Sequence, residues 1–452
     1  MATRNRIKFS ERQAALIWQQ VVGKELAGTE DELVNVIYPG RISGDDGPDF
    51  RDAVIAHKSR LTKGDVEVHV KSSDWYSHAH HADAAYNNVI LHVVLWHDSS
   101  SATLVKSGKL VPVLCLAQVL RHQPYLLPQH LPCFQILDHM DSQTLAKLLT
   151  ATGQERFTEK ARQFQDEVLR FAQKEEAEQV LFRGLMRALG YAKNTKPFQE
   201  LADRMPLSSL EARKGLAAKQ ALLLGAAGLL PSQRKQGKSS TGLVLSPSKE
   251  QEVQELEQIW RSEGQGIEAM TEDAWNFSHI YPNNSPVRRL IAQSYLLERY
   301  RKEGLLAGIL RLVREAPLPA GHRVLNDSLT VVGDGYWRDH FDFDARNKTK
   351  IPALLGRSKA GEIAVNVVLP FAFSWGELAD EPKLRENAME LYSNYPKLAE
   401  NYLTRHMRNQ LDLEGHFALT ACHQQGLIHI FRSYCREGRC AQCPLASSGS
   451  SC

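Results

Sequence analysis

The sequence contains no uncharged apolar run long enough to cross a membrane. The nearest candidate, residues 215–230, is short and carries Lys219, so we expect a buried helix there. The N-terminal residues also lack the apolar core of a secretion signal. These absences predict a soluble, cytoplasmic protein that has no membrane partner.

The sequence also has little excess of positive over negative charge. The net charge is +3 over 452 residues, too small by itself to indicate a nucleic-acid partner. The sequence shows no internal repeat and no long heptad run, which excludes solenoid and coiled-coil architectures. With 43% hydrophobic and 24% charged residues, the composition is typical of a globular protein with more than one domain.

A valine-rich segment carries an alternating set of ionisable residues. Asp49 follows a Gly-Pro turn, and further on Glu67, His69 and Lys71 alternate with valines at 66, 68 and 70. Residues two apart in a strand share a face, so we expect these three side chains to point the same way. Such a face needs water, a metal or mutual pairing. The pattern predicts a catalytic or metal-binding site, or else a structural network in which Glu67 pairs with Lys71.

A histidine-rich segment comes next in the chain. It could bind a transition metal, or it could be a polar loop over the site, anchored by Trp75 and Tyr86. We favour the loop, from which imidazoles could still contact a phosphate. His92 lies within the apolar strand 88–96, where a hydrogen-bonded core histidine is expected. The polar residues of the loop are His78, His80, His81 and Asp83.

Five of the seven cysteines lie within the last 31 residues. In a cytoplasmic protein such a cluster indicates a metal site before it indicates disulfides. The Cys440-x2-Cys443 pair suits zinc or an iron–sulfur cluster such as 4Fe–4S, with Cys435 as the third ligand. We expect Cys422 as the fourth ligand, with Cys452 or His423 as alternates. The metal would help the C-terminal end to fold, and the alternative is a set of free buried thiols.

The texture of the chain predicts an α/β N-terminal domain followed by mainly α-helical domains. The first domain should contain a helix at 10–26, strands at 34–38, 50–56 and 65–71, and a short crossover. The strand 88–96 and a hairpin of residues 102–105 and 110–116 should follow. Arg288 and Arg289 begin a later helix, where they could grip phosphate or simply face solvent. The expected segments are 1–135 (α/β), 136–231 (helical), 232–250 (linker or mobile loop), 251–350 (helical and loop-rich) and 351–452 (helical, with the cysteine cluster).

Several segments of the chain together resemble one uncharacterised bacterial family, called domain of unknown function 2851. The resemblance spans nearly the whole sequence, but the family name implies no activity. The segments that carry it are GRISGDDGPDF, GDVEVHVKSSDWYSHAHHADAAYNNVILHVV, LFRGLMRALGYAKN, NNSPVRR and QQGLIHIFRSYCREGRCAQCPL.

The N-terminal block also resembles, more loosely, the PD-(D/E)XK nuclease superfamily. That resemblance implies a restriction-endonuclease-like αβββαβ core with a mixed sheet. It places Pro48-Asp49 at the first motif and Glu67 at the second acid. The lysine position falls on His69, with Lys71 one strand period further on. The implied function is a Mg²⁺- or Mn²⁺-dependent nuclease acting on DNA or RNA, with Asp49 and Glu67 as metal ligands. The alternatives are an inactive nucleic-acid-binding scaffold on this fold and a hydrolase of small phosphoesters.

Overall fold

The chain divides into two compact units in a computed structural model. The first contains residues 1–149, 400–418 and 427–452, and the second contains residues 150–399 and 419–426. The structure describes residues 10–21, 25–27, 33–43, 47–57, 60–117, 133, 136–138, 140–171, 174–191, 193–234, 247–277, 280, 282–343, 353–413, 415 and 417–447.

A seven-stranded mixed sheet organises the first unit. Its spatial order is β1-β2-β4-β5-β6-β7, and β3 pairs with the start of β4. The neighbouring pairs β1–β2, β2–β4 and β4–β5 are antiparallel, whereas β6 lies parallel to both β5 and β7. The strands are β1 (Glu25–Ala27), β2 (Leu33–Tyr38), β3 (Arg41–Ile42), β4 (Phe50–His57), β5 (Arg60–Lys71), β6 (Val89–Trp96) and β7 (Val113–Cys115).

One helix, α1 (Glu11–Gln19), packs against β5 and β6. Its Trp18 is fully buried and donates its indole N–H to the Pro39 carbonyl oxygen at 3.0 Å. The predicted helix of residues 10–26 is too long, because the backbone is already a strand at Glu25. Two β-branched valines and a glycine follow Gln20, and these residues disfavour helix.

The connection between the parallel strands β5 and β6 is short, as the sequence predicts. It consists of α2 (Asp74–Ser77) and two single turns of 3₁₀ helix, His80–Ala82 and Ala84–Tyr86. Trp75 and Tyr86 anchor the connection in a small apolar cluster with valines from β6 and the following loop. The hairpin expected at 102–105 and 110–116 is reduced to one bridge between Leu104 and Leu110, and β7 joins the sheet instead.

Strand β5 approaches the start of β6 closely at Gly64. A β-carbon built there would lie 2.3 Å from Ile90 Cγ2 and 2.5 Å from the Asn88 carbonyl oxygen. That same carbonyl accepts the backbone N–H of Asp65 at 2.9 Å. Only glycine therefore allows the parallel pairing of β5 and β6 to begin at this point, and this pairing fixes where Glu67 and His69 lie.

The second unit is helical and has one continuous apolar core. The expected buried helix around Lys219 is present, and the fully buried Lys219 Nζ lies 2.7 Å from Glu298 Oε2. From the end of the sheet onward, the helices are α3 (Ser142–Phe171), α4 (Lys174–Leu189), α5 (Thr195–Arg204), α6 (Leu207–Glu211), α7 (Leu216–Ala226), α8 (Pro247–Glu263), α9 (Pro286–Arg299), α10 (Leu305–Glu315), α11 (His322–Leu329), α12 (Arg357–Ile363), α13 (Leu369–Leu378) and α14 (Pro382–Ser393), with a π-helical turn at Ala364–Val368 before α13.

Residues 400–418 and 427–452 return to the sheet-containing unit, whereas residues 419–426 belong to the second unit. Together these residues form α15 (Tyr402–Gln410), α16 (Ala421–Ser433), two 3₁₀ turns and the short α17 (Pro444–Ser447). The sequence predicts helices here, but its helical texture does not reveal which unit they join. Among the residues that the structure describes, no helix combines the length and apolar character needed to span a bilayer.

Replacing Gly64 with alanine should destabilise the first unit by about 1–3 kcal/mol, because the added methyl group overpacks the β5–β6 junction. Thermal unfolding followed by circular dichroism measures this effect. Gly356→Ala is the matched control, since a β-carbon there meets no atom within 4 Å. Equal melting temperatures for the two variants would contradict the close approach.

Candidate active site

Two carboxylates are held side by side where β4 begins against β5. The Asp49 backbone N–H donates to Glu67 Oε2 at 3.0 Å, and the Val68 N–H donates to Asp49 Oδ2 at 3.0 Å. These reciprocal bonds fix both acids to the backbone of the neighbouring strand. They leave Glu67 Oε1 directed away from Asp49 and toward a group of imidazoles.

The proximity of the two acids changes the protonation of Asp49. Burial raises the pKa of Asp49 from 3.8 to about 7, and the neighbouring charge of Glu67 adds to the effect, while the Val68 N–H opposes it. A buried carboxyl group with a raised pKa beside a second acid is typical of functional sites. The charged form of Asp49 is therefore held in the folded protein at a cost in stability.

Imidazole groups surround the free oxygen of Glu67. Glu67 Oε1 lies 3.4 Å from His69 Nε2 and 3.2 Å from His80 Nε2. The His69 and His80 Nε2 atoms are themselves 3.2 Å apart, and His78 Nδ1 lies 3.2 Å from His69 Nε2. Four side chains thus bring one nitrogen or oxygen atom each toward a common region.

A chain of hydrogen bonds runs behind His69. Its Nδ1 lies 2.9 Å from His92 Nε2, and His92 Nδ1 lies 3.3 Å from Thr103 Oγ1. Burial, together with the charges of nearby histidines, lowers the pKa of His69 to about 2 and that of His92 to about 3. Both rings are therefore neutral at physiological pH. His92 is the hydrogen-bonded core histidine that the sequence predicts, and it supports His69 from the adjacent strand.

The crossover between β5 and β6 delivers His78 and His80. Ala79 between them has the left-handed φ of 60°, and both of its neighbours place a ring nitrogen 3.2 Å from His69 Nε2. The His80 ring stacks on Tyr86 with centroids 3.9 Å apart, and Trp75 meets its edge. Trp75 is held in turn by its indole N–H, which donates to the Leu104 carbonyl oxygen at 2.9 Å. The loop is thus packed on aromatic side chains rather than loosely placed over the site.

His81, one of the predicted phosphate contacts, turns outward. It is exposed and its ring contacts Tyr76, while the neighbouring Asp83 accepts the Ala85 N–H at 2.8 Å in a turn. The sequence predicts a polar loop from which His78 and His81 could both contact a phosphate. The structure separates them, and brings His80 toward Glu67 instead of His81.

Lys71 is not with the two acids, although it shares a strand with Glu67 and His69. Its side chain is 57% exposed, and its Nζ lies 3.9 Å from Asp98 Oδ2. The strand ends at Lys71, and Asp98 is fixed at that end by Ser72 and Ser73. The prediction that Lys71 belongs to the catalytic group is therefore not supported by its placement, because strand alternation alone does not say where a buried face stops.

Arg288 and Arg289 occupy the interior of the second unit. Arg288 donates to the His340 carbonyl oxygen at 2.7 Å, and Arg289 donates to the Leu354 carbonyl oxygen at 2.6 Å. Both residues are at most 2% exposed. Neither of the two predicted roles, phosphate contact or surface solvation, agrees with this placement. The guanidinium groups instead satisfy backbone carbonyls that no regular element pairs.

Four cysteines of the first unit line one apolar cavity, together with Ile37 and Gln410. Gln410 Nε2 lies 3.2 Å from Cys133 Sγ. Burial raises the pKa of Cys133 to about 11 and raises that of Cys435 still more, with neighbouring sulfurs adding to both. The thiols of this cavity therefore stay protonated unless a cation joins them. The four cysteines are Cys133, Cys435, Cys440 and Cys443.

Cys422, the expected fourth ligand, lies in the second unit. Its Sγ is 3.6 Å from the Thr150 carbonyl oxygen, and its backbone packs against Gly153. The alternate His423 is bonded to Thr150 and Thr420, and Cys452 lies outside the described residues. Proximity in sequence favoured Cys422, but Cys422 belongs to the second unit and is not among the residues that line the cavity. Cys133 was missed because some 300 residues separate it from its partners.

A scan of family models identifies the chain. The family described as protein of unknown function (DUF2851) matches residues 11–401. The chain belongs to this family. Among curated proteins and among solved structures, no match was found. The description of this family states no activity.

Asp49→Asn should stabilise the metal-free protein at pH 8 and leave its stability at pH 4 little changed. The folded-state pKa is raised, so stability falls as pH rises from the unfolded value of 3.8 to about 7. Asparagine can still accept the Val68 N–H, and relief of even part of the shift should exceed about 1 kcal/mol. Thermal unfolding at both pH values in EDTA provides the measurement.

Asp98→Asn is the control of opposite sign. Hydrogen bonds from Ser73 and Ser72 lower the pKa of Asp98. Its contribution is present above pH 3.8 and is lost as pH falls. The control should therefore lose stability at pH 8. A destabilised Asp49→Asn variant at pH 8 would contradict the raised pKa.

Proposed function

We propose that this protein is a metal-dependent hydrolase of phosphodiester bonds, with DNA or RNA as its substrate. The observation that carries the proposal is the pair of carboxylates, Asp49 and Glu67, fixed to each other's strand with imidazoles at the free Glu67 oxygen. Carboxylate and imidazole groups that converge in a partly buried site are the usual ligands of a hydrolytic metal.

The arrangement of elements supports the resemblance to the PD-(D/E)XK nucleases. The chain runs through α1, the antiparallel strands β2, β4 and β5, a short helical crossover and the parallel strand β6. Apart from the short strands β1 and β3, this order agrees with the αβββαβ core that the resemblance implies. In that resemblance Asp49 and Glu67 correspond to the two acidic positions. The departure from the pattern is at the lysine position, where His69 is buried and Lys71 lies at the strand end.

Hydrolysis at this site would need a nucleophilic water and stabilisation of the charge that develops on the phosphoryl group. A divalent metal held by Glu67 and the neighbouring groups would polarise the phosphoryl oxygen and lower the pKa of a bound water. The Asp49 carboxylate, adjacent to Glu67, would accept the proton of the attacking water. The water oxygen bonds to phosphorus, the bond from phosphorus to one ester oxygen breaks, and that oxygen leaves with a proton from solvent.

Asp49→Asn and Glu67→Gln should each reduce cleavage of labelled DNA or RNA by at least about 100-fold, because each removes a charged group at the reacting centre. Lys71→Ala should retain activity within about threefold, since Lys71 pairs with Asp98 away from the acids. The assay uses single- and double-stranded substrates with Mg²⁺, Mn²⁺, Zn²⁺ or EDTA.

Unchanged cleavage by the Glu67→Gln variant would overturn the proposal. Binding that weakens steeply with salt, without turnover in any metal, would favour an inactive nucleic-acid scaffold, for which the missing lysine is the specific argument. Turnover of small phosphodiesters without affinity for nucleic acid would instead indicate a small-molecule substrate.

We further propose a structural metal, zinc or an iron–sulfur cluster, at the four-cysteine cavity. Four thiols that line one apolar cavity are a ligand set that either centre uses, and both would lower the raised pKa values of these thiols by binding the thiolates. The cavity draws one ligand, Cys133, from the chain after the sheet and three from the C-terminal turns. A metal here would cross-link the C-terminal segment to the unit that carries the candidate active site.

Cys133→Ser should lose the bound metal and lower the melting temperature, whereas Cys422→Ser should keep the metal. Both cysteines are buried, which makes them a matched pair. Elemental analysis of anaerobically purified protein gives the metal content, and visible absorbance separates an iron–sulfur cluster from colourless zinc. Metal-free wild-type protein, or a Cys133→Ser variant with full metal content, would contradict this assignment.

A further inference from the structure

We propose that Glu67, His69 and His80, with His78 as an additional ligand, bind a first-row transition-metal ion such as Zn²⁺ rather than Mg²⁺. The inference rests on the proposed function, for which it identifies the metal ion. Metal binding at this site does not itself require that the protein is a hydrolase. In the described part of the first unit, the ring nitrogens of three histidines lie within 4.8 Å of one another. These histidines are His69, His78 and His80.

The first argument is the size of the triangle formed by the three inner ligand atoms. Glu67 Oε1, His69 Nε2 and His80 Nε2 are separated by 3.4, 3.2 and 3.2 Å. Tetrahedral ligands at about 2.0–2.1 Å from zinc are about 3.3 Å apart, whereas adjacent ligands of octahedral Mg²⁺ at about 2.1 Å are about 3.0 Å apart. The triangle matches one face of a tetrahedron around zinc, with the fourth direction open toward His78 or water.

The second argument is the number of protons that the cluster can hold. His69 Nε2 has three polar neighbours at 3.2–3.4 Å, namely Glu67 Oε1, His80 Nε2 and His78 Nδ1. A ring nitrogen carries either one proton or one lone pair in the plane of the ring, so it can satisfy only one of them by hydrogen bonding. A shared cation satisfies all of them at once.

The third argument is the chemistry of the donor atoms. Two or three imidazoles with one carboxylate suit zinc, iron and other first-row transition metals, whereas Mg²⁺ prefers oxygen ligands and retains its waters. The remaining oxygen of Glu67 is occupied by the Asp49 N–H at 3.0 Å, so Glu67 offers one oxygen to the ion. Three protein ligands and an open position are the composition of a catalytic zinc site.

The fourth argument is the support behind the ligands. A metal on His69 Nε2 places the ring proton on Nδ1, which donates to His92 Nε2 at 2.9 Å; His92 then donates to Thr103 Oγ1. Ligating histidines generally donate their second nitrogen in this way, which fixes the ring and its tautomer. His80 is fixed by the stacked Tyr86 ring instead. The ligands are therefore held in place before any ion binds.

The test is Co²⁺ and Zn²⁺ binding to chelator-stripped full-length protein. We expect one Co²⁺ ion with the intense visible bands of a four- or five-coordinate nitrogen–oxygen site, and any Co²⁺ at the proposed cysteine site is distinguished from it by sulfur charge-transfer bands. His80→Ala should weaken this binding by at least about 100-fold and His78→Ala by about 10-fold. His81→Ala is the matched control, since it removes an exposed imidazole from the same loop, and its affinity should stay within about twofold.

Circular dichroism confirms that the variants are folded, and His78→Ala removes only an exposed side chain, so the comparison does not depend on a buried substitution. Equal Co²⁺ affinity in the wild type and in the His80→Ala and His78→Ala variants would overturn the inference, and so would Mg²⁺ binding that excludes Co²⁺. Tight metal binding without nucleic-acid cleavage would overturn the proposed function and leave the metal site standing. Mg²⁺-dependent cleavage that survives His80→Ala would do the reverse.

Discussion

The register of β5 against its two neighbours is the constraint on which the candidate site depends. On one side, the reciprocal bonds between Asp49 and the backbone and side chain of β5 hold two acids together. On the other side, the parallel pairing with β6 places His92 directly beside Glu67 and behind His69. A shift of β5 by one residue would turn Glu67 and His69 to the opposite face of the sheet. The close approach at Gly64 fixes the register at the start of the parallel pair.

The cost of this arrangement is the burial of charge. Asp65, Glu67 and His69 are each at most 5% exposed, and only Asp65 has an arginine partner, Arg51, at 2.9 Å. An acid buried without a cation is destabilising, and a second acid nearby increases the effect. The folded protein must offset the free energy that burying such an acid costs, and a bound metal ion would offset it most directly. The raised pKa of Asp49 and the converging imidazoles both indicate a place where a bound cation would be stabilised.

Much of the fold could be predicted from local pattern. The strands at 34–38, 50–56 and 88–96, the short crossover and the helical texture after residue 141 all follow from periodicity and turn residues, and each is present. Asp49, Glu67 and His69 could be predicted because Asp49 directly precedes β4 and the other two share one face of β5, the strand that follows β4. The end of α1 could not be predicted, because weak helix formers decide it. The reduction of the 102–116 hairpin to one bridge could not be predicted either, because tertiary pairing decides it.

The remaining site residues depend on long-range or single-residue geometry. His80 points inward and His81 outward because they are consecutive residues of one short 3₁₀ turn, which begins after the left-handed Ala79, and no periodicity reveals this turn. Cys133 joins the C-terminal cysteines through the folding of the whole first unit, and Arg288 is drawn into a core by carbonyls some 50 residues away. The groups that lie against the buried Glu67 are imidazoles and not Lys71. Lys71 lies too near the end of the strand to serve.

The most direct test of this account is an anomalous difference map from crystals grown with zinc. The account predicts a peak at about 2.0–2.1 Å from Glu67 Oε1, His69 Nε2 and His80 Nε2, with Asp49 beside it. A second peak among the cysteines would serve as an internal standard for occupancy. A map with density at the cysteines and none between Glu67 and the imidazoles would contradict the central claim that this cluster is a metal site.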